Sequence, residues 1–287
     1  MTKVLFIPPT WNSSRFREHY ISSATTHGFT AMFFEGGITE AVLNQDSDIV
    51  LAQGISPDAL SLVDDSWVVL DVENTYDVVD LFNAMHPELG AHWAATHGSA
   101  ALAYGSWLVE LGARLCSPHG DISWPDLQLS KVDSIELAQH SSSPQSNPLA
   151  FYQGLRLPLG TEWIWFPGMV GGANPVALEA GSWIELTGRA QHIVNGPNIF
   201  LPPGRWKATL SFSIDPEGSS PSLFCEWGGG AHEKPSRHFE IRRAGHYEIS
   251  MECLLTVPDA VHFLLATQTA LFSGKARIGE LRVRRVG

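Results

Sequence analysis

Residues 205–214 read Arg205-Trp206-Lys207-Ala208-Thr209-Leu210-Ser211-Phe212-Ser213-Ile214, an unbroken alternation of polar and apolar side chains. In a strand this period of two sends Trp206, Ala208, Leu210, Phe212 and Ile214 to one side and Lys207, Thr209, Ser211 and Ser213 to the other. A strand with one buried and one solvated face belongs to an antiparallel sheet. The run 246–255 repeats the pattern, with Tyr247, Ile249, Met251, Cys253 and Leu255 inward and Glu248, Ser250 and Glu252 outward. Working outward from these two, strands are expected at Glu162–Phe166, Ser182–Gly188, Ile193–Phe200, Ser222–Trp227, His238–Arg242, Ala260–Thr267 and Arg277–Arg285, separated by turns rich in Gly and Pro. Short strands at this spacing predict an antiparallel jelly-roll β-sandwich.

Upstream of residue 150 the character of the chain changes. Short apolar runs at Lys3–Ile7, Thr30–Phe34, Ile49–Ala52, Trp67–Leu70, Gly90–Ala95 and Arg114–Cys116 alternate with helix-like stretches such as Ser13–Thr26 and Asn74–Ala84. This alternation predicts a Rossmann-like, flavodoxin-like parallel sheet with helices on its faces. Residues 139–148 are polar and carry two prolines, the composition of a linker or long surface loop. The fold class expected is therefore α/β plus all-β: an α/β domain over 1–125, a linker over 126–150 and a sandwich over 151–287.

A formal charge of −12 leaves no basic excess to displace counterions from a phosphate backbone, which argues against nucleic acid as a partner. The N-terminus has about four apolar residues before Pro8-Pro9, too few for a signal sequence or a membrane span. A cytoplasmic location and no membrane insertion are expected, with surface or particle association left open. Cys116, Cys225 and Cys253 show no CxxC spacing, so buried free thiols are expected, with a Cys225–Cys253 bridge as the alternative.

In a parallel sheet, ligands gather at the carboxyl ends of the strands. Those ends include Asp71-Val72-Glu73-Asn74 and Thr96-His97-Gly98-Ser99. The second is read as leaving a strand and entering a helix, whose free N–H groups would hold a phosphate beside His97, Gly98 and Ser99. His97, Asp71 and Glu73 are the candidate catalytic groups. Small polar residues also serve such loops as caps and turns with nothing bound. GxGxxG after the first strand, GxxxxGK[ST] and GxSxG are all missing, which argues against dinucleotide, P-loop and nucleophile-elbow chemistry. His92 and His97 are five apart and miss the i,i+4 face of a zinc helix, so no metal and no cofactor are expected.

The run Thr96-His97-Gly98-Ser99-Ala100-Ala101-Leu102, followed by Val109-Glu110-Leu111-Gly112-Ala113 and Cys116-Ser117-Pro118, resembles the nucleotide-sugar-binding half of GT-B glycosyltransferases over about residues 90–120. It departs from that pattern in Ser99, in the short Glu110-to-Gly112 spacing and in having one such domain where the family uses two. The resemblance implies a truncated or catalytically inactive relative. Residues 160–286, through Gly196-Pro197-Asn198-Ile199-Phe200-Leu201-Pro202-Pro203-Gly204-Arg205-Trp206, are similar to carbohydrate-binding-module-like sandwich domains of bacterial polysaccharide-synthesis proteins.

Exposed indoles beside polar groups suit sugars, because the C–H face of a pyranose packs on the ring while hydroxyls take hydrogen bonds. Trp163, Trp165, Trp183, Glu185, Arg189, Asn195 and Asn198 are the candidate glycan contacts. The same Trp residues would equally cover the sandwich. The leading expectation is a carbohydrate-recognising protein associated with bacterial surface or capsular polysaccharide. Alternatives are a nucleotide-sugar-dependent glycosyltransferase and a spike-like assembly protein that uses the sandwich for protein contacts.

Overall fold

The computed structural model describes residues 2–10, 12–43, 46–72, 75–131, 147–165, 167–172 and 181–287. The chain divides into two compact units, Met1–Arg156 and Leu157–Gly287.

In the first unit β1 (Lys3–Phe6), β2 (Ala31–Ile38), β3 (Ile49–Ile55), β4 (Trp67–Leu70) and β5 (Arg114–Cys116) form a parallel sheet in the order β2-β3-β1-β4-β5. All four residues of β1 and all four of β4 are buried, the near-continuous apolar run expected of strands covered on both faces. One face carries α1 (Ser13–Thr26), whose Phe16, Tyr20 and Ala24 pack on Leu5, Ile7, Ile49, Leu51, Val68 and Leu70. A hairpin of β6 (Ile122–Trp124) and β7 (Leu127–Leu129) completes that layer through Ile122, Trp124, Leu127 and Leu129. The other face carries α4 (Gly90–Glu110), where Gly105 lets Phe6 and Val69 approach, and α3 (Thr75–Met85) packs beside it. The four-residue α2 (Glu40–Leu43) links β2 and β3.

Three expectations need correction here. A flavodoxin-like order would place β1 between β2 and β3; instead β3 lies between β2 and β1. Alternation of strands and helices predicts a parallel sheet but carries no record of which strand pairs with which. Second, Gly90–Ala95 is helical, the opening of a 21-residue helix. Across it only Thr96 and Val109 are β-branched while six residues are Ala, and this propensity outweighs the short apolar run. Third, the first unit does not end at residue 125. The β6–β7 hairpin belongs to its core, Asn147 donates from Nδ2 to Thr75 Oγ1 at 2.9 Å, and Leu149, Tyr152 and Leu155 are fully buried. Residues 132–146 of the expected linker lie outside the described residues.

The second unit contains β8 (Glu162–Trp165), β9 (Ile184–Glu185), β10 (His192–Leu201), β11 (Gly204–Asp215), β12 (Ser222–Gly229), β13 (Ser236–Glu240), β14 (Gly245–Leu255), β15 (Asp259–Thr267) and β16 (Lys275–Arg285). One sheet has the order β10-β15-β12-β13; the other runs β14-β11-β16-β8, with β9 also on β16. Leaving β9 aside, the first strand pairs antiparallel with the eighth, the second with the seventh, the third with the sixth and the fourth with the fifth. That nested pairing is the jelly roll. The expected strand Ser182–Gly188 contracts to the two residues of β9, and Phe166, at the end of the expected Glu162–Phe166, lies outside the described residues.

The core between the sheets follows parity. Trp206, Ala208, Leu210, Phe212 and Ile214 are each at most 1% exposed, and from the facing sheet come Leu223, Cys225, Trp227, Val261, Phe263 and Leu265. Each such large apolar side chain contributes about 1.5–3 kcal/mol on burial. The turn Leu201-Pro202-Pro203-Gly204 carries the chain from one sheet to the other and is tied into the core by the Trp206 indole, which donates to the Pro202 carbonyl at 2.9 Å. Cys225 and Cys253 are free thiols in this core, not a bridge. Burial pushes the thiol of Cys253 up to about 12 and raises that of Cys225.

Candidate functional site

The residues expected to hold a nucleotide-sugar do not open a helix. His97, Gly98 and Ser99 lie in the middle of α4, where each N–H is committed to the helix itself. Ser99 is fully buried and its hydroxyl donates to the Thr96 carbonyl at 2.6 Å. A Cβ at Gly98 would come 2.9 Å from Val78 Cγ1, so this glycine serves the α3–α4 contact. His97 is exposed, stacked on Trp93 with ring centroids 3.8 Å apart, and its Nδ1 is 3.0 Å from the Trp93 carbonyl. Asp71 follows β4, accepting the Val72 N–H at 2.8 Å, while Glu73 lies outside the described residues.

The glycan candidates fall in three separate places. Trp163 and Trp165 pair with Val283 and Leu281, two core residues, so both indoles turn inward; Trp165 is 1% exposed and is a core residue instead of an exposed platform. Trp183 is exposed, but Lys275 and Arg277 lie over its ring at 5.6 and 5.4 Å, so cations of the same chain already engage its π face. Glu185 pairs with Lys275 on the same edge, and Arg189 is exposed in the segment that follows. Asn198 takes a left-handed conformation, φ 61°, within a register shift of β10. Asn195 is exposed on β10, with its backbone N–H and C=O both bonded to Gly171 at 2.8 Å.

Asn195 belongs to a surface that presents no indole among its paired positions: the outward face of the four-stranded sheet. Leu223, Cys225 and Trp227 fill the core, so Phe224, Glu226 and Gly228 of the same strand point outward. Strand pairing sets them in rows. His238, Phe224, Ala266 and His192 form the first; Ser236, Glu226, Leu264 and Asn195 the second; Gly228, His262 and Pro197 the third. Phe224 and His238 rings meet at 5.0 Å, tilted by 49°. Leu264 is partly exposed beside Glu226. A shallow cleft of about 290 Å³ lies at the β10 edge, lined by Gly171, Gly172, His192 and Asn195.

The polar groups of this face are ordered by one another. Glu226 Oε1 is 3.4 Å from Lys234 Nζ and 3.4 Å from His262 Nε2. Burial, with Lys234 alongside, depresses the basicity of the His262 imidazole, against the pull of Glu226 and Asp259. Gln268 bridges His238 Nδ1 at 2.7 Å and the Ser222 hydroxyl at 2.8 Å. The face therefore offers an aromatic ring, apolar ground beside it and fixed donors and acceptors, which is what a small or extended polyol requires.

In the first unit a cleft of about 520 Å³ lies at the amino ends of the strands, lined by residues including Lys3, Asp65, Arg114 and Trp124. Its cations are turned onto neighbours: Lys3 pairs with Asp126 at 2.8 Å, and Arg114 donates to the carbonyls of Asp65 and Ser123 at 2.9 and 2.6 Å, with its Nη2 buried and without a hydrogen-bond partner among the described residues. Among the described residues no group of three His, Cys, Asp or Glu stands close enough to hold a metal ion, and no helix is long and apolar enough to cross a membrane.

No protein-family model matches the chain, and no curated protein matches it. Among solved structures it is similar to the C-terminal CBM6 of LamC, a marine laminarinase from Zobellia galactanivorans, at 10% identity over 43% of this chain and 99% of that one, with a TM-score of 0.29. It is also similar to the CBM36-1 domain of a multidomain xylanase from the hindgut metagenome of Trinervitermes trinervoides, at 14% identity, 44% and 98% coverage and a TM-score of 0.28. A third is TmCBM61 in complex with beta-1,4-galactotriose, at 8% identity, 43% and 88% coverage and a TM-score of 0.28.

Proposed function

We propose that this chain is a carbohydrate-recognising protein, and that its second unit binds an oligosaccharide or polysaccharide on the outward face of the four-stranded sheet. The observation that carries the reading is the pair Phe224 and Glu226, two residues apart on β12 and both outward, with Leu264 and Asn195 continuing the row. An aromatic ring beside fixed polar groups meets the two surfaces of a sugar, its C–H face and its hydroxyl rim. The ligand is a glycan of a bacterial surface or capsule, and the first unit is the body to which the sandwich is attached.

The test is affinity electrophoresis of the full chain through gels containing soluble polysaccharides, with isothermal calorimetry on the best ligand. Retardation that Phe224→Ala weakens about tenfold, roughly 1.4 kcal/mol, supports the reading. Free migration in every gel overturns it and leaves the sandwich as an assembly module.

A further inference from the structure

The outward face of the four-stranded sheet contains an exposed Arg242–Glu240 pair at the β13 edge, 2.9 Å apart, and a more buried charged node whose members are committed to each other. Lys234 Nζ and His262 Nε2 are 3.5 Å apart, and both lie 3.4 Å from Glu226 Oε1. The three side chains are only 17 to 24% exposed. Lys234 passes over Gly228, whose φ of 141° is a left-handed conformation that favours glycine and where a Cβ would stand 3.4 Å from Lys234 Cγ, in ordinary contact. The aliphatic stem of Lys234 thus lies across β12, with its ammonium turned onto Glu226. No other Lys or Arg occupies the paired outward positions of the three rows.

Charge is also partitioned between the units. Residues 1–156 hold 18 Asp and Glu against 6 Lys and Arg, while residues 157–287 hold 12 of each. The sandwich therefore exerts no net long-range pull on an anionic chain, and the rest of the protein repels one.

Resting on the glycan reading above, we propose that Glu226 is the residue that sets the charge class of the ligand. By holding Lys234 it withdraws the cation that a sugar carboxylate would need, and it places a carboxylate where that group would sit. Neutral sugars meet no such conflict. A pyranose packed on Phe224 extends about 7 Å along the strand to Glu226, the span of two residues, and two adjacent hydroxyls donate to the carboxylate. Lys234 is then a masked cation, so removing Glu226 changes the preference as well as weakening it.

The experiment uses the full chain, a neutral xylan or galactan and an acidic polygalacturonate, with melting curves confirming that each variant folds. Wild type is expected to bind the neutral polymer at least tenfold more tightly than the acidic one. Glu226→Gln loses about tenfold on the neutral polymer and gains about tenfold on the acidic one, and adding Lys234→Met cancels the gain. Glu226→Asp, which keeps the charge but draws it back from Lys234, shifts both affinities the same way to a smaller extent and serves if Glu226→Gln does not fold. A wild type that prefers the acidic polymer overturns the proposal, as does a folded Glu226→Gln with both affinities unchanged. If Phe224→Ala still weakens binding about tenfold in that case, the glycan reading stands while the role of Glu226 falls. No binding to either polymer overturns the role of Glu226, and the glycan reading falls with it if the chain also migrates freely in every polysaccharide gel.

Discussion

The two outward faces of the sandwich are built from the same kind of strand and are chemically opposite. On the five-stranded sheet, Glu252, Lys207, Arg284 and Glu162 stand side by side across four strands, and the next row is Ser250, Thr209, Arg282 and Ile164. Two cations stand there between two carboxylates, and the Thr209 and Ser250 hydroxyls bond each other at 2.8 Å. On the four-stranded sheet the rows hold Phe224, Leu264, Asn195, three histidines and a compact ion cluster, with the Arg242–Glu240 pair confined to the β13 edge. A face that neutralises itself with long, exposed side chains has its polar groups satisfied by water and by neighbours. A face that leaves an aromatic ring and a leucine partly open beside short, fixed polar groups is prepared for something else to cover it.

The largest effect is expected where the second face is anchored. Asp259 Oδ2 accepts the Ala231 N–H at 2.8 Å and lies 3.1 Å from His232 Nδ1, while the Thr256 N–H donates to His232 Nε2 at 2.9 Å. Because Nε2 accepts, Nδ1 carries the proton toward Asp259. This network holds the loop that delivers Lys234. Gly229 lies against it, and a Cβ there would overlap the Asp259 carboxyl group. Gly229→Ala should cost about 2–4 kcal/mol, read as a drop in urea midpoint, and should loosen glycan binding with it. An unchanged midpoint would mean that the loop is not pinned by Asp259.

Next in size is the contrast between the faces in binding. Phe224→Ala should weaken the retained polysaccharide about tenfold, while Arg284→Ala on the charged face stays within twofold. The reverse ranking would move the site to the five-stranded sheet, toward Trp183.

Parity made most of the sandwich legible in the sequence. Trp206 through Ile214 are buried in alternation as the pattern of β11 requires, because a half-buried strand writes its faces into a period of two. The start of α4 was not legible: a helix is expected after Thr96-His97-Gly98-Ser99, but Gly90–Ala95 is short and apolar, and only the Ala-rich continuation to Glu110 distinguishes it from a strand. The site was half legible. Ser222-Leu223-Phe224-Cys225-Glu226-Trp227 shows Phe224 and Glu226 on one face opposite Leu223, Cys225 and Trp227, but the one indole of the run lies on the opposite, core face and does not mark it. Trp165, Trp206 and Trp227 are nearly or fully buried, since the largest apolar side chains gain most from filling the core. What no local pattern carries is the arrival of Lys234 and His262 at Glu226, which depends on a loop and on a strand residue 36 positions on.

A smaller effect comes from the histidine in that cluster. His262 is faced by Lys234, Glu226 and Asp259, and burial with the neighbouring ammonium depresses its pKa below the ordinary value of about 6.5. Between the two values the unfolded chain binds the proton and the folded one does not, so stability falls with falling pH. The contribution is fully present above about pH 6.5 and is lost as the pH drops toward the folded-state pKa. The melting temperature of the wild type should therefore fall between pH 7.5 and pH 5 more steeply than that of His262→Gln. Parallel slopes would show that His262 titrates as it does in the unfolded chain.

The smallest effect tests the charged face. Arg282 lies 3.9 Å from Glu162 and 3.3 Å from Glu280, with all three side chains between 43 and 46% exposed. At that exposure the Coulomb gain is screened by water and salt and is set against the entropy of holding long side chains in place. Arg282→Ala should change stability by less than about 1 kcal/mol, and the change should shrink further in 0.5 M salt. The cross-strand neighbours explain why the loss stays small: without Arg282 the two carboxylates return to water, and the Thr209–Ser250 contact in the same row is untouched. A salt-independent loss of several kcal/mol would instead mean that the aliphatic part of Arg282 covers apolar surface such as Ile164, its paired neighbour. The two faces would then differ less than their charges suggest, because both would rest on buried hydrocarbon.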